Sequence, residues 1–271
     1  MMNNITIGQY LPGDSFVHKL DPRTKILISM FFIINLFLVK NFTSYLIIFL
    51  FILLTVRISK IQLKYIYKGI KPVFILILFT AFLNLFITKG TPDTLLLDIG
   101  FLKIYKEGVS LAMFMTLRLV FLIMGTSILT LTTSPIELTD GIESLLSPFK
   151  RIGVPAHELA MMMSIALRFI PTLMDETDKI MKAQMARGAD FESKNIIKKA
   201  KSLIPLLVPL FISSFRRAEE LAMAMEARSY RGGEGRTRMN VLKYGKNDLV
   251  GAIIFFALVG VTFSLRFTGL L

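Results

Sequence analysis

Cysteine is absent from this 271-residue chain, which excludes disulfides, iron–sulfur clusters and thiolate metal sites. Tryptophan is absent as well, and histidine occurs only twice, which leaves little room for a histidine metal site. Acids are scarce: 19 Asp and Glu stand against 32 Lys and Arg, a formal net charge of +13. No G-x-x-x-x-G-K-[ST] occurs, so no phosphate loop of the chain's own is expected. The stretch RGGEGRTR over 231–238 is glycine-rich and basic but lacks that spacing, and reads as a solvated loop. His157-Glu158-Leu159-Ala160-Met161 misses the second histidine of H-E-x-x-H, so no zinc site is expected there. No Ser–His–Asp grouping has support from spacing. Asp175, Glu176 and Asp178 read as a solvated helix face. Neither catalytic residues, nor a metal site, nor a cofactor is expected.

What the chain has in excess is grease. Hydrophobic residues make up 54% of it, with 23 Phe, and the mean hydropathy is +0.62. That exceeds soluble domains, where apolar usage is about 45–50% even counting Gly. High hydropathy with a basic surplus fits a membrane protein with positive cytoplasmic faces, rules out a disordered chain and argues against a soluble nucleic-acid binder. The fold class expected is all-α, a polytopic membrane protein with about five transmembrane helices plus three long cytoplasmic or interfacial helices.

Spanning helices need about 20 mostly apolar residues. Charge-free runs lie between Lys25 and Lys40, Lys40 and Arg57, and Lys71 and Lys89. Another covers roughly Gly108 to Leu131, interrupted by Arg118, and the last lies between Asp248 and Arg266. The first two form a tight hairpin turning at Lys40-Asn41. The organisation expected is a membrane region over 1–131 with four spans, a central region over 132–247, and a final transmembrane helix over 248–271. The segment 57–71 carries five Lys and Arg and the region 132–247 carries 18, against three, offset by three acids, in 89–107. The positive-inside rule then puts the N-terminus, 57–71 and 132–247 in the cytoplasm, and 89–107 and the C-terminus outside. Residues 1–25 are polar and do not read as a signal peptide. Within the spans Asn35, Asn84 and Arg118 are the polar residues of interest; with no acid in its own span, Arg118 reads as a structural or subunit contact rather than a transport-path charge.

The central region is the informative part. Three helices are expected there. The first starts at the capping box Ser134-Pro135-Ile136-Glu137 and ends near Lys150-Arg151. The second runs from Pro155 to Arg187 and stops at Gly188; the third runs from near Ser193 to around Arg231, before Gly232-Gly233. The last two share a design. Each has an apolar, proline-bearing half (Pro171; Pro205 and Pro209) followed by an amphipathic arm. The arms align without gaps at an offset of 41, Ala186-Arg187 on Ala227-Arg228, Ala183 on Ala224 and Ile180 on Leu221. Those positions form one stripe at helical spacing, with Met181, Met185, Met223 and Met225 nearby. Small residues allow close helix approach, and Met suits surfaces that fit several partners. An Arg at a helix end can simply complement the macrodipole. Two arms with the same ending point instead to Arg presented to a cytoplasmic partner, its planar fork reading carboxylates or carbonyls.

The residues His18-Lys19-Leu20-Asp21-Pro22-Arg23-Thr24-Lys25, Leu167-Arg168-Phe169-Ile170-Pro171, Ala186-Arg187-Gly188 and Ala227-Arg228-Ser229 carry a resemblance. Over nearly its whole length the chain resembles the transmembrane (T) component of energy-coupling factor transporters, the family shared with the cobalt permease subunit CbiQ. The resemblance implies a non-catalytic scaffold of the bacterial or archaeal cell membrane. Such a scaffold joins two cytoplasmic ABC-type ATPases, which bind the ATP, to a membrane S component that captures a vitamin or other micronutrient. It also implies that Ala186, Arg187, Gly188, Ala227, Arg228 and Ser229 contact the ATPases, and that the Met-rich stripes (Met181, Met185, Met223, Met225) contact the S component. The alternatives are a classical ABC permease subunit and a dedicated cobalt or nickel uptake permease subunit. A complete carrier or channel would want intramembrane acids or a polar pore stripe, and a membrane enzyme clustered His, Asp or Glu; neither pattern is present.

Overall fold

The computed structural model describes residues 10–39, 41–88, 90, 94–99, 102–191, 195–232 and 241–267. Lys40, Lys89, Ser193 and positions 233–238 of the glycine-rich stretch lie outside them. The chain divides into two compact units: one holds 8–142 with 241–271, the other 1–7 with 143–240.

The first unit is a helical membrane bundle. Helix α1 (Pro22–Leu38) is followed by α2 (Phe42–Ser59) and α3 (Leu63–Ile70). A 3₁₀ turn at Lys71–Val73 leads into α4 (Phe74–Ile87). A hairpin of β1 (Leu95–Ile99) and β2 (Leu102–Tyr105) precedes α5 (Lys106–Thr132). Residues 135–142 of α6 (Pro135–Leu146) and helix α9 (Lys246–Phe267) complete the set. Among the described residues four helical stretches are long and apolar enough to cross a membrane: Phe42–Ser59, Leu63–Ile87, Lys106–Thr132 and Lys246–Leu265. The remaining expected crossing is α1, whose 17 residues make about 26 Å of helix against a hydrocarbon core of ~30 Å. The basic segment 57–71, counted above only for its charge, holds a short helix of its own. Leu63, Ile66 and Ile70 recur at helical spacing, with Lys64 and Lys68 between them, so residues Leu63–Ile70 wind into amphipathic α3.

Leu36, Tyr45, Ile48, Ile52, Phe121, Leu131 and Phe255 form the centre of this bundle, drawn from α1, α2, α5 and α9. Tyr45 stacks on Phe114, ring centroids 5.5 Å apart, and Phe49 on Phe121 at 6.1 Å. Apolar side chains also cover the outside, which in water would be an aggregation hazard and in lipid is the favourable surface. Two of the three polar residues of interest in the spans, Asn35 and Arg118, bond to other parts of the bundle. Asn35 Oδ1 accepts from the Thr262 hydroxyl at 3.1 Å, joining α1 to α9. Asn84 Nδ2 donates to the Thr80 carbonyl of its own helix at 2.8 Å. Arg118 reaches the Val39 carbonyl at 3.4 Å and lies 5.3 Å from the Phe37 ring centre, so it serves the free carbonyl end of α1.

The motif at 18–25 is a polar clamp that closes one end of the bundle. Asp21 caps α1, its Oδ1 accepting from the Arg23 amide at 2.9 Å while its Oδ2 pairs with the Arg23 guanidinium at 2.9 Å. Burial pushes the Asp21 carboxyl up, but the bonds to Arg23 outweigh it and hold the group below its ordinary value. The Asp21 amide donates to Asp248 Oδ1 at 2.7 Å, and Asp248 Oδ2 accepts from the Gly245 amide at 2.7 Å, so one carboxylate joins the starts of α1 and α9. Lys25 Nζ donates to the carbonyls of His18 (2.9 Å) and Thr132 (3.0 Å), adding the end of α5.

The second unit is built on two long helices, α7 (Ala156–Ala186) and α8 (Ile196–Ala227). Pro171 lies inside α7, and Pro205 and Pro209 lie inside α8. A 3₁₀ stretch at Ser147–Ile152 precedes α7, and Gly153 takes a positive φ of 88° at its end.

Candidate functional site

Both long helices end in the same way. In α7 the cap is Arg187, and Gly188 follows with φ 87°. The Ala189 amide donates to the Gln184 carbonyl and the Gly188 amide to the Met185 carbonyl, each at 3.0 Å. In α8 the cap is Arg228, and Ser229 follows with φ 56°. The Tyr230 amide donates to the Met225 carbonyl at 3.0 Å and the Ser229 amide to the Glu226 carbonyl at 2.8 Å. This is one Schellman motif built twice, with Arg at the cap and the left-handed residue after it. Helix α8 therefore ends at Ala227, four residues before the end expected around Arg231. Ser229 accepts a backbone conformation that favours glycine, and the last carbonyls find their donors there.

The ends are exposed. Ala186, Arg187 and Gly188 in one arm, and Ala227, Arg228 and Ser229 in the other, face outward, as do Ala183 and Ala224. Ile180 and Leu221 are half-buried at the same register. Met185 and Met223 are exposed, while Met181 and Met225 are half-buried. The four Met are therefore not one flat stripe: two turn outward and two support the arms.

Three contacts fix how the helices run past one another. Ser202 Oγ donates to the Asp190 carbonyl at 2.9 Å, beside the connection. In the middle the Arg217 guanidinium pairs with Glu176 at 3.0 Å. At the far end the Tyr230 hydroxyl meets the Met161 sulfur at 3.1 Å. The helices thus cross in opposite directions, each arm passing the apolar half of its neighbour, with Leu173 and Thr177 facing Phe211 and Phe215. Arg187 and Arg228 come out at opposite ends. Each lies about 16 Å of helix beyond the Glu176–Arg217 contact, a spread on the order of 30 Å between them. The likeness of the arms is written in their residues; their divergence arises only from the packing of the two helices. Arg217 and Glu176 also share the 41-residue offset, the signal that could have found the crossing. The Ser213 hydroxyl, bonded to Glu176, and the Arg217 guanidinium hold that carboxyl below its ordinary value of 4.5.

Residues 13–239 match the CbiQ family model, described as cobalt transport protein. The chain belongs to the EcfT/CbiQ family of transporter membrane components. A relative from Clostridium kluyveri, the energy-coupling factor transporter transmembrane protein EcfT, is 64% identical over 98% of both chains. The protein of that name from Thermosediminibacter oceani is 61% identical over 93% of this chain and 94% of its own. The one from Bacillus subtilis is 49% identical over 98% of this chain and all of its own. Family membership agrees with the all-α membrane architecture and with transport as the process served. Among the described residues no cluster of three or more His, Asp or Glu is arranged to hold a metal.

Proposed function

We propose that this chain is the scaffold of an energy-coupling factor transporter of the bacterial or archaeal cell membrane. It transmits ATP-driven movement from two cytoplasmic ABC-type ATPases to a membrane S component that carries a vitamin or other micronutrient. The observation that carries the reading is the pair of matching Arg-capped helix ends directed away from each other. One partner pocket cannot hold two ends on the order of 30 Å apart, whereas two equivalent partners side by side can. Ala186, Arg187 and Gly188 dock in one ATPase, and Ala227, Arg228 and Ser229 in the other. Each guanidinium fork engages carboxylates or carbonyls in a groove. The exposed Met185 and Met223, backed by Met181 and Met225, contact the S component through a surface adaptable enough for several of them. The chain performs no catalysis and holds no cofactor; ATP is bound by the partners. The N-terminus and the two long helices face the cytoplasm, where the basic residues concentrate.

Mechanically, two stiff helices joined at one crossing act as levers. A change in spacing between the ATPases moves Arg187 and Arg228 apart or together, and the crossing at Glu176–Arg217 passes the displacement to the apolar halves. Purification of the tagged chain from its native membrane in mild detergent, followed by mass spectrometry, tests this. Two P-loop ATPases with one or more small, very hydrophobic proteins are expected. A chain recovered alone or as a homo-oligomer, with solute flux on reconstitution, overturns the proposal. A single small protein under all growth conditions would replace the shared role with a dedicated one.

A further inference from the structure

A groove runs down the outside of the membrane bundle between α2 and α9. Ile47, Leu50 and Leu54 form one wall and Ile254, Leu258 and Val261 the other. From Ile47 to Arg57 the wall is about 15 Å long, half of the ~30 Å hydrocarbon core and so the depth of one leaflet. Arg57 closes one end. It lies in the last turn of α2 and is exposed. No acidic residue occurs anywhere between Asp21 and Asp93, and among the described residues none pairs with Arg57. Beside the groove, and sharing Phe51, Leu54 and Ile254 with it, is a partly open, almost wholly apolar cleft of about 140 Å³. Its lining favours an apolar guest over water. Its one charged lining residue, Lys25, points its ammonium at the carbonyls of His18 and Thr132, which leaves Arg57 as the cation available at the surface of the groove.

We propose that the α2–α9 groove binds one anionic phospholipid, with its phosphate on Arg57 and an acyl chain laid between the two helices. The groove has the length of one leaflet's chain, an apolar floor that shares Phe51, Leu54 and Ile254 with a neighbouring apolar cleft, and at its end a guanidinium that no described acidic residue pairs with. A guanidinium binds phosphate through two parallel N–H bonds, and basic side chains between spanning helices select anionic headgroups. The lipid would fill the gap left between α2 and α9 and stiffen the face on which Phe51 meets Phe255, whose ring centroids are 6.3 Å apart.

The absence of tryptophan supplies the test. The full chain carrying Leu50→Trp, an exposed groove position, is reconstituted into phosphatidylcholine vesicles. Fluorescence quenching is measured as dibrominated phosphatidylglycerol, or dibrominated phosphatidylcholine, replaces the unlabelled lipid. Leu53→Trp serves as a second reporter, and Phe79→Trp on exposed α4 as a reporter away from the groove. The groove reporters are expected to show about 5-fold preference for the anionic lipid, the effect of one basic contact near the membrane surface. Arg57→Gln should abolish the preference and Arg57→Lys should keep much of it, with none at Phe79→Trp. Equal quenching by both lipids, preference unchanged in Arg57→Gln, or the same preference at Phe79→Trp overturns the proposal.

Discussion

The carboxylate of Glu176 and the guanidinium of Arg217 are 3.0 Å apart and occupy the same register in their helices. Each stands eleven residues before its terminal Arg. The contact is therefore the fulcrum of a pseudo-symmetric crossing. The pair is partly exposed, so its worth is roughly 0.2–1 kcal/mol, and its role is to fix the point at which two levers meet. Because the folded carboxyl lies below 4.5, the stabilisation is complete above that value and is lost as pH falls through the lower folded value. Glu176→Gln should mimic the loss at neutral pH. In this cysteine-free chain, spin labels at Lys182→Cys and Met223→Cys should give one narrow distance distribution that broadens when Glu176→Gln is added. Unchanged distributions would show that packing alone sets the crossing.

The two Schellman ends make opposite glycine predictions. Ser229 holds φ 56° at a position where glycine carries no steric cost. Ser229→Gly should raise stability by about 1 kcal/mol in thermal melting. A Cβ added at Gly188 meets nothing within 4 Å, so Gly188→Ala isolates backbone strain. It should lower stability by about 1 kcal/mol in the same melting experiment, and an unchanged melting temperature would show that the positive φ carries no strain.

Asp248 accepts from two backbone amides, those of Asp21 and Gly245. Asp248→Ala leaves the buried Asp21 amide without an acceptor, a loss of about 1–3 kcal/mol. Asp248→Asn retains an acceptor oxygen and should lose less. Melting of the detergent-solubilised chain ranks the three proteins, and equal values for Ala and Asn would refute the bridging role.

Gly125 lets the ring of buried Phe32 approach α5, and a Cβ there would collide with it. Gly125→Ala should destabilise the bundle by about 1–3 kcal/mol, and Gly125→Ala with Phe32→Leu should recover part of it. No recovery would place the strain elsewhere.

Much of this molecule can be read from residue order because its signals are local. Ser134 and Glu137 do exchange capping bonds, at 3.1 and 3.2 Å, and α7 does stop at Gly188, since both features are set within four residues. Helix α8 was misplaced at its end because glycine is the stronger stop signal. The backbone instead turned at Ser229, where the hydrogen-bond geometry of the α7 end repeats. Helix α3 is only eight residues long, so its apolar spacing of three and four is a weak signal beside the charge of the segment around it. The motif at 18–25 was visible as a pattern, but its partners Thr132 and Asp248 lie 107 and 227 residues from Lys25 and Asp21 respectively. No local rule reaches that far. Likewise the two Arg-capped ends were recognisable as a pair, while their opposite directions depend on tertiary contacts such as Tyr230 with Met161.

The most direct test of the account is the amount of ATPase retained by Arg187→Glu with Arg228→Glu, measured by quantitative mass spectrometry of the purified assembly alongside transport in vesicles. Both substitutions fall on exposed helix caps, so the chain should stay folded and in the membrane. The account predicts that the ATPases are lost from the purified protein and uptake ceases. Undiminished ATPase recovery with undiminished transport would contradict it and return both arginines to the role of ordinary helix ends.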